Sequence, residues 1–217
     1  MAALSRSSSI FQSRYLFHMH TSVTDGKLEI EDYFSYACLH GFDKLIFLEH
    51  IRRTPTYDVE KFITGVKEAS QSSGIPALVG FEAKILPDGS LDLDEKYARQ
   101  ADVLGIAEHG FSGDLAALSG ALTECFCRYK NIRESEALVW VHPGLYFKKH
   151  GLLTQEHRCY SELLERAVDA GILLERNMRY DLIPQVMYAD LNPACRVLGA
   201  DAHSAGDLAR YLTWLNF

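Results

Sequence analysis

The sequence predicts an α/β fold, a single-domain parallel β/α barrel that is closed or nearly closed. Seven short runs rich in Val, Ile, Leu and Phe read as buried strands, near residues 15–18, 44–48, 76–82, 102–107, 137–141, 171–174 and 196–200. They alternate with longer stretches of helical periodicity, the pattern of parallel βαβ units. Polar, chemistry-bearing residues follow six of the seven runs. An open doubly wound sheet would gather such residues at one crevice and carry a glycine-rich phosphate loop after its first strand; this sequence has no such loop.

Each element has its own signal. Tyr15-Leu16-Phe17 opens the barrel and runs into His18-Met19-His20. A helix over 29–39 places Ile30, Phe34, Ala37 and Cys38 at helical spacing, and Gly41 stops it. Leu45-Ile46-Phe47-Leu48 leads to His50, and the helix over 59–69 puts Phe62, Ile63, Val66 and Ala69 on one face. Ala77–Phe81 delivers Glu82. Pro87-Asp88-Gly89-Ser90 then reads as a turn between short extended arms spanning 86–92. Val103–Ala107 leads to His109, and Leu138–Val141 leads to His142, where Pro143-Gly144 opens a loop. Helices are expected over 114–129, 156–169, 182–188 and 207–214, with Val197–Ala200 leading to Asp201-Ala202-His203. Residues 15–217 form the barrel domain, preceded by a short tail over 1–14.

Bulk composition bounds the function. The 47% hydrophobic and 24% charged content is that of a soluble globular domain, and no apolar run approaches the ~18 residues of a membrane span. A net charge of −7 argues against non-specific nucleic-acid binding, which needs a basic surface. Five cysteines without a C-x-x-C pair read as reduced, mostly buried thiols of a cytoplasmic protein.

The strand-end residues carry the chemistry. His18, His20, His50, His109, His142 and His203 share this placement, with Asp25, Glu82 and Asp201 on or near it. A lone strand-end histidine is more often an ordinary satisfied polar residue. Six at equivalent places, with carboxylates beside them, point instead to one multinuclear centre for divalent metals, whether zinc, manganese or iron. The His18/His20 and Asp201/His203 pairs have i, i+2 spacing, which sends both members to one side of a strand. His40, His150 and His157 lie at helix ends or in a loop and are read as solvated or capping residues.

In this order the motifs resemble the PHP family, the polymerase and histidinol phosphatase domain. The matches run from His18-Met19-His20-Thr21 and Thr24-Asp25-Gly26 through Glu49-His50, Gly80-Phe81-Glu82 and Glu108-His109. They continue with His142-Pro143-Gly144, Leu174-Glu175-Arg176-Asn177 and Asp201-Ala202-His203. Two departures, Leu48-Glu49 for Thr-Asp and Ala200 for Ser, remove no ligand. The resemblance implies a distorted (β/α)7 TIM-like barrel with two or three metals. It implies that His18, His20, Glu82 and Asp201 hold one metal and that Glu82 bridges to a second on His109 and His142. Asp25, His50 and His203 would hold the third.

The expected reaction is hydrolysis of a phosphomonoester or phosphodiester through a metal-bridging hydroxide, with Asp201 as orienting base and Glu82 as bridging ligand. A phosphorylated small molecule or nucleotide is the expected substrate. Arg52, Arg53, Arg176, Arg179 and Lys84 are the expected contacts to it, because they follow the strands toward the same mouth. Glu175 stands where other strands offer ligands, which suits it to orient a ligand histidine or bind a substrate hydroxyl. Two other readings use the same site: hydrolysis of a C–N or C–O bond, as in the wider amidohydrolase group, or a non-catalytic metal-binding module.

Overall fold

The computed structural model describes residues 10–129 and 137–215. Among the described residues nine strands are formed: β1 (Tyr15–Phe17), β2 (Lys44–Ile46), β3 (Glu49–Ile51), β4 (Ala77–Leu78), β5 (Gly80–Lys84), β6 (Val103–Ala107), β7 (Ala137–Trp140), β8 (Leu173–Asn177) and β9 (Arg196–Gly199). Every pairing between them is parallel. The order is β1-β2-β4 in one sheet and β3-β5-β6-β7-β8-β9 in the other.

The two sheets are one barrel. β2 and β3 lie on a single chain path broken at Phe47-Leu48, and β4 and β5 lie on another broken at Val79. Closure runs between the last path and the first: Ala200 N–H donates to Phe17 O (2.9 Å) and Ala202 N–H to His18 O (3.0 Å). His20 N–H then donates to Ala202 O at 2.9 Å, within a parallel bridge of Met19 and Ala202. Seven paths therefore close a β/α barrel whose two broken strands account for its distortion.

Alternation along the strands sorts the core into two parts. Inward residues, including Phe17, Leu48, Val103, Val139, Leu173 and Val197, fill the barrel. Ile10 and Phe11 pack against this filling, with Phe11 edge-on to Tyr15 and Phe17. The expected tail over 1–14 is thus tied down at its end, and Lys44 Nζ donates to Ile10 O (2.8 Å). Outward residues such as Phe47, Phe81, Leu104, Trp140 and Leu174 meet the helices.

The helices are α1 (Ile30–His40), α2 (Val59–Ser73), α3 (Glu95–Ala98), α4 (Leu115–Tyr129), α5 (Leu145–Lys149), α6 (His157–Asp169), α7 (Gln185–Asp190) and α8 (Ala205–Leu215). α3 and α5 are too short to show periodicity in sequence. The expected helix over 182–188 begins only at Gln185, because Leu182 pairs with Asn177 and Pro184 precedes the first turn. The sixth strand extends to Asn177, beyond the apolar run, because its polar end is buried rather than exposed. All five cysteines are free; only Cys125 and Cys195 are buried, while Cys38 and Cys127 sit on outward helix faces. No helix of the described residues is long and apolar enough to cross a membrane.

Candidate metal centre

All nine expected ligands converge at the C-terminal ends of the strands. Glu82, inward on β5, is the hub. Its Oε2 lies 3.3 Å from His18 Nε2, 3.4 Å from His20 Nε2 and 3.3 Å from His50 Nδ1. Its Oε1 lies 3.2 Å from His109 Nδ1 and 3.1 Å from His142 Nε2. Asp201 Oδ1 faces His203 Nδ1 (3.4 Å), His20 Nε2 (3.7 Å) and His18 Nε2 (4.0 Å). Asp25 closes the outer side, with Oδ2 3.4 Å from His50 Nε2 and Oδ1 3.4 Å from His203 Nε2.

Local backbone geometry makes this convergence possible. His18 (φ 67°), His142 (φ 34°) and Asp201 (φ 49°) occupy the left-handed region, which is uncommon away from glycine and favours functional positions. At His18 and His142 the reversal breaks the strand alternation. Phe17 and Val141 face the barrel interior, and so do the histidines that follow them. Asp25 reaches the site on a tight turn that needs Gly26, where any Cβ would overlap the His20 carbonyl.

Among the described residues three groups of ligand atoms lie close enough to hold an ion: His20, Asp25, His50 and His203; His18, Glu82 and His142; and His18, His20 and Asp201. These groups take in eight of the nine expected residues; His109, expected beside Glu82 and His142, is in none of them, although its Nδ1 lies 3.2 Å from Glu82 Oε1, and the division differs as well. His20 joins the outer group as well as Asp201, and His18 shares the Glu82–His142 position. Apart from His18 Nε2 to Asp201 Oδ1 at 4.0 Å, the spacings quoted above, 3.1–3.7 Å, lie near the edge of a tetrahedron of ligands, about 3.3 Å for zinc–nitrogen bonds. Among the described residues both ring nitrogens of His20 are buried without a hydrogen-bond partner, as are Nδ1 of His109 and of His142. Orphaned imidazole nitrogens packed around carboxylates are the donor set a divalent cation requires.

A surrounding shell fixes the ligands. Glu175, fully buried, accepts from His18 Nδ1 (2.6 Å), from His142 N–H (2.5 Å) and from Asn177 Nδ2 (3.1 Å). Of the two roles open to it, orienting a histidine is the one it occupies. Asn177 also approaches Asp201 Oδ2 (3.3 Å). Glu49 accepts from Thr21 N–H (2.9 Å) and Oγ1 (2.6 Å) and from Thr24 Oγ1, bracing the turn that carries Asp25. Glu108 accepts from Gly144 and Tyr146 N–H (2.8 and 3.0 Å) and so pins the loop after His142. Asn177 is the residue sequence reasoning missed; its i, i+2 spacing from Glu175 was the available signal.

Without metal, protons balance the charges. Burial opposes charge on Glu82, but hydrogen bonds from His142 and His18 outweigh it and hold its carboxyl well below the usual range. Burial likewise disfavours charged His18, yet Glu175 and Asp201 raise its proton affinity well above normal. His109 goes the other way, pushed down to about 3 by burial. Burial also drives Glu108 up to about 7.

The expected substrate contacts divide. Lys84 shares the inward parity of Glu82 and reaches the mouth, where burial and the charges of Arg52 and Lys149 lower its proton affinity. Arg52 lies beside Asp92 (Nε to Oδ2 3.7 Å). Arg53 is exposed, with its backbone N–H on Asp92 (3.1 Å). Arg179 Nη1 lies 3.1 Å from His203 Nδ1, at the rim. Arg176 does not belong to the mouth. Between inward Glu175 and Asn177 it must point outward, and there it binds Asp181 (2.8 Å) and Ile183 O and lies over Trp214.

The sequence matches no protein-family model and no curated protein. Among solved structures the chain is similar to an amidohydrolase II, with a TM-score of 0.52 and 13% identity over 92% of this chain and 90% of that one. It is also similar to an HpcH/HpaI aldolase from Desulfitobacterium hafniense, with a TM-score of 0.50 and 10% identity over 98% and 94%. What they share is the barrel. At these identities the likeness establishes the α/β barrel fold, and the chemistry rests on this chain's own residues.

Proposed function

We propose that the chain is a metal-dependent phosphoester hydrolase of the PHP type. The observation that carries this is Glu82: its two oxygens face different histidine groups, so one buried carboxylate spans neighbouring cation positions. Divalent ions bound there would lower the pKa of water towards ~7 and neutralise phosphoryl oxygens. Asp201, with Oδ1 towards the histidines and Oδ2 near Asn177, is the residue that takes a proton from the attacking water. Lys84, two residues beyond Glu82 on β5, and Arg179, beside His203, hold the phosphoryl anion and oppose its developing charge.

The test is a screen of the zinc-, manganese- and iron-loaded protein against phosphomonoesters, phosphodiesters, lactones and cyclic amides. Phosphate or alcohol release from a phosphoester, abolished in Asp201→Asn, is the expected result. Turnover of lactones or amides alone would support instead a C–N or C–O hydrolase, the reading suggested by the amidohydrolase II barrel. Bound metal without turnover of any class would leave a metal-binding module.

A further inference from the structure

We infer that Asp207 is a positioning residue that holds Arg179 at the barrel mouth for the phosphoryl group of the substrate. This rests on the phosphoester reading above. Asp207 belongs to none of the motifs that supply ligands, yet it is only 4% exposed and its carboxylate collects donors from three parts of the chain. Oδ2 accepts from Ser204 Oγ (2.7 Å), from His203 N–H (3.1 Å) and from Arg179 Nη1 (3.5 Å), while Oδ1 accepts from Arg210.

Helix capping explains part of this. Ser204 precedes α8, Asp207 stands in its first turn, and Asp207 N–H donates back to Ser204 Oγ (3.3 Å). A cap needs no arginine from another loop. Arg179 comes from the segment after β8, 28 residues earlier, and among the described residues Asp207 is the one carboxylate that pairs with it. The Arg179 side chain is 33% exposed, so solvent is its alternative to the mouth.

Arg179 Nη1 has two further neighbours, His203 Nδ1 (3.1 Å) and Asp201 O (3.4 Å). A guanidinium only donates, so it can use Nδ1 only while that nitrogen carries no proton. His203 Nδ1 also lies 3.1 Å from Asp201 O, a partner it can meet only as a donor. The two contacts exclude each other. A neutral ring that offers a cation Nε2, the nitrogen facing Asp25 at 3.4 Å, carries its proton on Nδ1 and takes the Asp201 contact. Arg179 then keeps Asp207 as its anionic anchor, beside a cation that repels it. Held there, the guanidinium can give a phosphoryl oxygen the hydrogen bond that His203 no longer accepts.

The experiment titrates phenylphosphonate, a phosphoryl analogue that is not hydrolysed, into the full, manganese-loaded chain by calorimetry. R179Q and D207N are each expected to weaken binding about tenfold, and the D207N/R179Q double variant no further, because Asp207 acts through Arg179. D207E, which keeps the charge, is expected to bind more tightly than D207N. R210Q is expected to bind as the wild type does, and manganese content after dialysis to be equal in all variants. A D207N loss that persists in the R179Q background, or that comes with lost manganese, would show a structural role and overturn the inference. Wild-type affinity in D207N, a D207E no tighter than D207N, or an R210Q as weak as D207N would overturn it too. Each of these leaves the phosphoester reading intact. A wild type that neither binds phenylphosphonate nor releases phosphate from phenyl phosphate overturns that reading, and this inference with it.

Discussion

The Glu175 carboxylate occupies the space that a side chain at Gly199 would need: a Cβ built there would overlap Glu175 Oε1. Glycine on β9 thus allows the carboxylate on β8 to reach His18 Nδ1 at 2.6 Å and the His142 N–H. Gly199→Ala, which changes no ligand, is expected to weaken metal binding 10–100-fold, about as much as Glu175→Ala. Competition against a fluorescent chelator measures it. Wild-type affinity in both variants would mean that Glu175 does not orient His18.

Removing the hub and removing the rim should differ. Glu82→Ala takes away the carboxylate shared by five histidines, whereas Asp25→Ala affects only the outer group. Elemental analysis after dialysis is expected to find little metal on the first variant and a partial complement on the second. Equal loss would contradict the hub role.

Arg176→Ala tests the outward assignment. It removes contacts to Asp181, Ile183 O and Trp214, so a stability loss of about 1–3 kcal/mol is expected in urea titrations. KM for any substrate should be unchanged. A raised KM without a stability loss would return Arg176 to the mouth.

Glu108 sets a pH dependence in the metal-free protein. Its folded value of about 7 lies above the ordinary 4.5, so between those values the native state holds a proton that the unfolded chain has released. Stability therefore falls as pH rises through this window, by up to ~3 kcal/mol from this group. Glu108→Gln should lose less stability than the wild type between pH 5 and 7 in denaturant titrations. Parallel losses would show that Glu108 is ionised in the folded state throughout.

Metal should stabilise the fold as well as serve its chemistry. Imidazoles and carboxylates from β1, β3, β5, β6, β7 and β9 are brought together only in the native state, so a saturating divalent cation raises Tm and a chelator lowers it. Differential scanning calorimetry with and without chelator checks this. An unchanged Tm would mean that the groups bind no ion tightly.

The amino-acid sequence by itself determined the alternation of strands and helices and the gathering of nine imidazoles and carboxylates at one end of the strands. Both are written locally: apolar runs mark buried strands, and ligand side chains follow them at the same end. His40, His150 and His157 were separable for the same reason, since none follows a strand. The sequence did not determine which histidine shares a position with which carboxylate. That depends on left-handed His18 and His142, which reset the strand alternation, and on the closure of β9 against β1 that brings Asp201 to His18 and His20. Nor did nearness to the ligands in sequence place Arg176, because strand parity turned it to the helical layer. Glu175 and Gly199 are 24 residues apart, and their fit exists only where β8 and β9 lie side by side. Residue type and spacing carry local chemistry; the direction of a side chain after a backbone reversal, and the neighbour it meets, are properties of the closed barrel.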